Sequence, residues 1–116
     1  MEFRELEEKV LEWAQDRGIL DKATPLAQGK KTLEEVEELL EALHHQSIKA
    51  DTYTNSKGIL VKTHEEVQDA LGDIFVTIII GAKLQGLDLI DCLGSAYDII
   101  AKRTGVMKNG VFVKDV

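Results

Sequence analysis

The sequence predicts an all-α protein, a four-helix bundle with small β-hairpin insertions. Apolar residues recur at three- and four-residue steps through most of the chain, the spacing that gives a helix one apolar face. The chain has a single proline and 5% aromatic residues, a composition that favours helix over sheet. Thr32-x-x-Glu35 and Thr63-x-x-Glu66 both have the form of a capping box, which marks a helix start. With 116 residues the chain is long enough for one modest core, so we expect a single domain over residues 1–116.

Four helices follow from this spacing. Their predicted bounds are Phe3 to about Arg17, Thr32 to about Lys49, Thr63 to about Gln85, and Leu89 to about Thr104. Gly18 and Gly86 are expected to end the first and third helices, and Asp88 to cap the fourth. The stretch Ile19–Lys31, which holds the only proline, is predicted to be an ordered connection.

Two segments carry turn residues between β-forming residues. "KADTYTNSKGILVK", from Lys49 to Lys62, has Asn-Ser-Lys-Gly at its centre and predicts a short β-hairpin or an ordered loop. Near the end of the chain, Asn109-Gly110 lies within "VMKNGVFVKD" and predicts a second small hairpin.

Charge and cysteine content limit the classes of partner. The net charge of −7 argues against nucleic acid or an anionic membrane as a partner, because phosphate binding requires clustered Lys and Arg. A small phosphorylated ligand remains compatible, since a metal ion inverts the sign of an acidic pocket. The one cysteine, Cys92, has no internal partner, and neither the acidic start nor "IFVTIIIGA" is a signal core or membrane span. We therefore expect a cytoplasmic protein.

An acidic phrase occurs twice. "KTLEEVEELLEAL" begins at Lys31 and "KTHEEVQDALGDI" at Lys62, and the second copy leads directly into "IFVTIIIGA". On a helical projection, Glu66, Asp69 and Asp73 share a stripe about 60° wide, which continues as aliphatic residues. Because nearly every position from Ile74 to Ile80 is apolar, we expect this half of the helix to be buried on all sides.

The first copy divides into three faces. Its core stripe is predicted at Leu33, Val36, Leu40 and Leu43, and its outward face at Glu34, Glu37 and Glu41. Glu35 and Glu38 lie on the flank between them. If the two helices pack side by side, Glu35, Glu38, Asp69 and Asp73 converge, and hard cations such as Mg²⁺ take carboxylate ligands of this kind. The alternatives are a capping role for Glu35 and Glu66, or a solvated acidic face.

The same residues resemble a known family. "EEVEEL" followed by "DALGDIFV" is similar to the MazG-like, all-α nucleoside triphosphate pyrophosphohydrolases, whose signature is Glu-Glu-x-x-Glu on one helix and Glu-x-x-Asp on the next. "WAQDRGIL", "LAQGKKTLEEVEEL" and "YDIIAKRTGVMKNGVFVKD" extend the resemblance to small MazG-like proteins of phages and bacteria. It covers most of the chain except the insertion Asp51–Lys62. It implies a bundle of the all-α NTP pyrophosphatase type.

The resemblance also implies a reaction and a set of residues. NTP or dNTP and water give the monophosphate and pyrophosphate with Mg²⁺, or with Mn²⁺. By position, Glu35, Glu38 and Asp73 match metal ligands, and Glu34 matches a glutamate that activates the water. The second-motif glutamate of the family falls at Ala70, so Asp69 or, alternatively, Glu66 supplies that carboxylate. We favour Asp69 with Asp73, because residues four apart share one helix face. The predicted substrate-binding residues are Gln28, Lys31, Asp98, Lys102 and Arg103.

Two further expectations concern partners and a rival function. The apolar stretch Ile74–Ala82 exceeds what one small chain covers, and the resemblance implies dimers or tetramers, so we expect a homodimer or homotetramer. The rival function is a non-catalytic acidic helical dimerisation or adaptor module. Trp13 fits the apolar stripe of the first helix and is expected in the core rather than at a ligand.

Overall fold

The structure, a computed structural model, describes all 116 residues and contains five helices and two small antiparallel sheets. The elements are α1 (Phe3–Asp16), α2 (Ile19–Lys22), α3 (Pro25–Ser47), β1 (Thr52–Thr54), β2 (Leu60–Lys62), α4 (Thr63–Leu84), α5 (Leu89–Ile100), β3 (Gly105–Lys108) and β4 (Val111–Lys114). They form two compact units, Met1–Gly86 and Leu87–Val116. The first unit holds α1 to α4 with β1 and β2, and the second holds α5 with β3 and β4.

The predicted four-helix bundle is wrong. A short helix, α2, forms within the segment expected to be a connection, and α5 belongs to a separate unit. The predicted start of the second long helix is also wrong, because α3 begins at Pro25 and not at Thr32. Thr24 caps this helix by accepting a hydrogen bond from the Ala27 N–H, and Pro25 takes the first helical position, where a missing N–H costs nothing. Thr32, read as the cap, therefore lies inside the helix.

Other local signals are met as expected. α1 ends just before Gly18 and α4 just before Gly86, and both glycines have a positive φ, which a residue without a Cβ adopts easily. Asp88 caps α5 by accepting hydrogen bonds from Ile90 and Asp91. The Thr63 capping box is wrong in detail, since the Thr63 hydroxyl donates to the Ala50 carbonyl instead. Both predicted hairpins are present, as β1–β2 and β3–β4.

Helices α3 and α4 pack against each other in antiparallel directions. Near the start of α3, Gln28 contacts Thr77 in the second half of α4, and just after the end of α3, Ala50 contacts Thr63 at the start of α4. Small residues mark the contact: Ala42 and Ala70 are buried, and Gly81 lies against the Gln28 side chain. The contact surfaces of the two helices therefore consist of small side chains and some polar ones.

This packing overturns the predicted core stripe of α3. The buried residues of this helix are Gln28, Glu35 and Ala42, whereas Leu33 and Leu40 are 56% and 59% exposed. The apolar half of α4 is likewise not buried on all sides, because Phe75 is half exposed and Ile78 also reaches solvent. Close contact through small residues turns the larger aliphatic side chains outward.

The second unit consists of α5 and the β3–β4 hairpin. Gly105 lies where a side chain would collide with the Val113 carbonyl, so this position of the hairpin requires glycine. No single helix of the chain is long and apolar enough to cross a membrane.

Candidate functional site

Five carboxylates gather along one side of the α3–α4 pair. Because the helices are antiparallel, the flank of α3 that carries Glu35 and Glu38 lies beside the stripe of α4 that carries Glu66, Asp69 and Asp73. Their charges act on one another across the two helices: Asp73 acts on Glu35, and Glu38 acts on Glu66 and Asp73. We call these five residues the acidic cluster.

Glu35 is the most deeply placed member of the cluster. It is 9% exposed, its Oε1 lies 3.5 Å from the Lys31 Nζ, and its Oε2 is buried without a hydrogen-bond partner. Burial is the main cause of its raised pKa. The next causes are a hydrogen bond that only the protonated carboxyl shares with Glu38, and the negative charges of Glu38 and Asp73. A buried oxygen without a partner is costly, so this position is suited to a cation or a donor from outside the chain.

Glu66 and Asp73 are crowded in the same way. Glu66 is half-buried, whereas Asp73 is exposed on α4. Partial removal from water is the main cause of the raised pKa of both side chains, and the charge of Asp69 is the next. Glu38 adds to the repulsion in both cases. The cluster therefore favours either proton uptake or a bound cation.

Two lysines compensate part of this charge. The Lys31 Nζ lies 3.3 Å from Glu34 and 3.5 Å from Glu35, and a hydrogen bond to Glu34 is the main cause of its raised pKa. Lys57, from the turn between β1 and β2, lies 3.6 Å from Glu38. As the side chains stand, no group of three Asp, Glu, His or Cys residues is spaced to hold a metal ion. The unpartnered Glu35 oxygen and the crowded hard ligands nevertheless suit Mg²⁺, provided that Glu38 releases Lys57.

An open cleft of about 280 Å³ adjoins the cluster. Its charged lining residues are Lys31, Glu35 and Asp73, and its lining is completed by Trp13, Ile19, Gln28, Val76, Thr77 and Ile80. Gln28 is buried, and its amide donates a hydrogen bond of 3.2 Å to the Thr77 carbonyl, which fixes the side chain. The lining thus combines charged with apolar and aromatic side chains, a combination typical of small-molecule sites.

The expectation that Trp13 lies in the core is wrong. Its side chain is 47% exposed and lines the cleft, because Ala14 and not Trp13 takes the buried position of α1. Sequence reasoning did not select Trp13 as a candidate. The available signal was that the only tryptophan stands next to an alanine, Ala14, which can take the buried position in its place.

The hairpin β1–β2 lies in the insertion Asp51–Lys62, for which the sequence left open a role in a pocket wall or only at the surface, and it lines a small second cleft. Tyr53 of β1 is buried, and its ring stacks on His45 of α3 with centroids 4.1 Å apart and planes 9° apart. A small cleft under the turn is lined by Glu38, Glu41, Tyr53, Asn55, Ser56, Lys57 and Glu66. Glu41, predicted on the outward face, lies in this cleft instead. Sequence reasoning did not select Lys57 as a candidate. A lysine in a turn that connects two acidic helices was the feature that could have indicated it.

The predicted site residues divide into three groups. The structure brings together Glu35, Glu38, Glu66, Asp69 and Asp73, and it places Gln28 and Lys31 in the adjoining cleft. Glu34 is exposed and pairs with Lys31, outside the acidic cluster. Asp98, on α5, and Lys102 and Arg103, just after it, are exposed residues of the second unit, and their roles stay predictions.

Comparisons of this chain with protein-family models, with curated proteins and with solved structures find no match.

Proposed function

We propose that the protein is a Mg²⁺-dependent nucleoside triphosphate pyrophosphohydrolase of the MazG-like type, with Mn²⁺ as a substitute metal. The motif resemblance supplies the reaction, and one observation carries the site. Glu35 is buried with an unpartnered oxygen, the negative charges of Glu38 and Asp73 act on it, and it lines an open cleft together with Asp73. A solvated acidic face has no reason to bury one of its members in this way.

The acidic cluster provides the ligands for the metal. Glu35, Glu38 and Asp73, with Asp69 or Glu66, are oxygen ligands of the hard type that Mg²⁺ prefers. When bound, the metal neutralises the triphosphate and lowers the pKa of a coordinated water. Water adds at the α-phosphorus, the bond from this phosphorus to the oxygen that bridges to the β-phosphorus breaks, and pyrophosphate leaves. Glu34 orients that water only if it first releases Lys31, to which it is now paired.

The adjoining cleft is suited to the nucleoside. Its lining includes the half-exposed ring of Trp13 and the side chain of Gln28, whose amide is held by the Thr77 carbonyl. Lys31 lines the same cleft beside Glu35, where its ammonium is available to a phosphate oxygen. We expect the base of a nucleoside triphosphate to stack on Trp13 and its phosphates to bind at Lys31 and at a metal held by Glu35 and Asp73.

We also propose that the protein is a homodimer or homotetramer in the cytoplasm, with no nucleic acid or membrane partner. Leu33 and Leu40 of α3 and Leu71 and Ile78 of α4 are exposed, whereas the half-exposed Phe75 contacts Phe3 of α1 edge to face. In an antiparallel pair these positions project from the side opposite the acidic cluster. Stripes of large apolar side chains on neighbouring helices are typical of an interface between copies.

The second candidate is a non-catalytic acidic dimerisation or adaptor module. It is favoured by the exposed leucines together with the absence of three side chains spaced for a metal. It offers no reason for the unpartnered oxygen of Glu35.

Pyrophosphate release from a panel of canonical and modified nucleoside triphosphates, with and without Mg²⁺, tests the proposal. We expect metal-dependent release from at least one nucleotide and its loss in Asp73→Asn. Saturable Mg²⁺ binding by calorimetry, weakened in the same variant, distinguishes the enzyme from the adaptor. A chain that releases no pyrophosphate and binds no divalent cation fits the adaptor alone.

A further inference from the structure

The turn between β1 and β2 carries a lysine to the acidic cluster. This hairpin lies within Asp51–Lys62, the one segment that the resemblance to MazG-like proteins does not cover, so Lys57 inherits no role from that resemblance. Its Nζ lies 3.6 Å from the Glu38 Oε1, and its side chain lines the small cleft together with Glu38 and Glu66.

The backbone around Lys57 is firmly held. The Asn55 side-chain oxygen accepts hydrogen bonds of 3.0 Å from the N–H groups of both Lys57 and Ile59. The hairpin is fastened to α3 by the stack of Tyr53 on His45, and its base is fastened by the hydrogen bond from Thr63 to Ala50. The turn thus fixes the Cα of Lys57 near the cluster, while the side chain itself is 70% exposed and keeps its freedom to move.

The charge of Lys57 reaches both helices of the site. Besides its contact with Glu38, it lowers the pKa of Glu66 and of Asp73, opposing the larger effects of burial and of Asp69. The free oxygen of Glu35 shows that the cluster as a whole is not fully compensated by the lysines of the chain. Because the Lys57 ammonium contacts the Glu38 Oε1, a divalent cation that takes this oxygen as a ligand displaces the ammonium.

Lys57 is better suited to move than Lys31. Lys31 is held by two glutamates at 3.3 and 3.5 Å, whereas Lys57 has one partner at 3.6 Å. An exposed pair of this length contributes little to folding, so its loss costs the protein little stability. A displaced ammonium on a fixed turn remains close to whatever anion accompanies the metal, and lysine binds phosphate oxygens as a mobile point charge.

We propose that Lys57 is a polyphosphate-binding residue of this site, an inference that rests on the proposed function. In the metal-free protein it is the counter-ion of Glu38, and once a divalent cation takes Glu38 it binds a non-bridging oxygen of the substrate's phosphate chain. The ligand class is a metal-bound polyphosphate, and the base of the nucleotide plays no part in this contact.

Calorimetry of Lys57→Gln against Lys62→Gln tests the proposal. Lys62 is an exposed lysine of β2 without an ion pair, so its replacement removes the same charge from the same hairpin. The probes are Mg²⁺ alone and tripolyphosphate in saturating Mg²⁺. We expect Lys57→Gln to bind Mg²⁺ about threefold tighter, because a competing cation is gone, and Mg²⁺–tripolyphosphate about tenfold more weakly. Lys62→Gln should match the wild type within about twofold in both titrations.

The outcomes separate this inference from the proposed function. If the wild type binds Mg²⁺ and tripolyphosphate and Lys57→Gln binds both as Lys62→Gln does, Lys57 is a surface residue and the inference alone is overturned. If the wild type binds no Mg²⁺, the metal site fails and the inference fails with it. Lys57→Arg provides a further check, since it retains the charge and should recover most of the tripolyphosphate affinity.

Discussion

Lys31 lies 3.5 Å from one oxygen of Glu35, whereas the other oxygen of that carboxylate, Oε2, is buried with no hydrogen-bond partner. Lys31 therefore offsets part of the negative charge of Glu35, while the second oxygen of this buried carboxylate has no hydrogen-bond donor. The negative charges of Glu38 and Asp73 also act on this carboxylate, so an added proton or cation should stabilise it.

Removing a ligand charge should nearly abolish pyrophosphate release. We expect Glu38→Gln and Asp73→Asn each to reduce kcat/KM roughly a hundredfold or more, because both supply charge to one metal site. The double variant should lose little beyond either single one, since ligands that act together are not additive. Steady-state assays of pyrophosphate release in Mg²⁺ provide the measurement.

Glu37→Gln is the matched control for this series. It removes the same charge from an exposed position of α3 that makes no ion pair, and it should leave kcat/KM within about twofold. Glu41, which lines the cleft under the hairpin, is unsuitable as a control. Equal tolerance of Glu37→Gln and Glu38→Gln would show that the carboxylates form only a solvated face.

The metal-free protein should become more stable as the pH falls from about 7 towards 5. The pKa of Glu35 and of Glu66 is raised in the fold from its ordinary value of 4.5, chiefly by burial, so the folded state binds more protons than the unfolded state above that pH. Stability is therefore lost as the pH rises from 4.5 through the raised folded values. Thermal unfolding in chelator across this range provides the measurement.

Glu35→Gln isolates the contribution of one group. At neutral pH without metal it should raise Tm by a few degrees, because the buried charge and its repulsion by Glu38 and Asp73 are gone, and it should flatten the pH dependence. Added Mg²⁺ should raise the Tm of the wild type and not that of the variant. A variant less stable than the wild type in chelator would mean that the Lys31–Glu35 pair outweighs the cost of burial.

Trp13 should report nucleotide binding directly. It is the only tryptophan of the chain and lines the cleft beside Asp73, so a stacked base should quench or shift its fluorescence. Trp13→Ala should raise KM about tenfold with a smaller change in kcat, since stacking contributes on the order of 1–3 kcal/mol per base. Tripolyphosphate, which lacks a base, serves as the control ligand and should leave the fluorescence nearly unchanged.

Leu71→Lys should disrupt assembly. This exposed leucine belongs to the apolar stripe of α4, and a charge there opposes burial against a second copy. Light scattering at micromolar concentration should show a dimer or tetramer for the wild type and a smaller species for the variant. Leu60→Lys, at a still more exposed leucine on β2, is the matched control. A monomeric wild type would contradict the proposed oligomer.

The sequence by itself determined the features that depend on neighbouring residues. Gly18 and Gly86 end helices because they adopt a positive φ, Asp88 caps α5, and Asn109-Gly110 forms the turn of a hairpin. The repeated acidic phrase also predicted that Glu35, Glu38, Asp69 and Asp73 converge, since helical periodicity fixes which side chains share a face. The capping box at Thr32 misled because the same pattern occurs inside a helix. The one at Thr63 correctly marked the start of α4, although the Thr63 hydroxyl donates to the Ala50 carbonyl instead of capping the helix.

The tertiary structure alone decided which face of each helix turns inward. Ala42, Ala70 and Gly81 allow α3 and α4 to approach closely, and this contact buries Glu35 while leaving Leu33 and Leu40 outside. A hydrophobic pattern cannot reveal this, because it records which residues are apolar and not which surfaces fit together at short distance. The position of Lys57 beside Glu38 likewise depends on a hairpin folding back onto α3, a contact between residues that are distant in sequence.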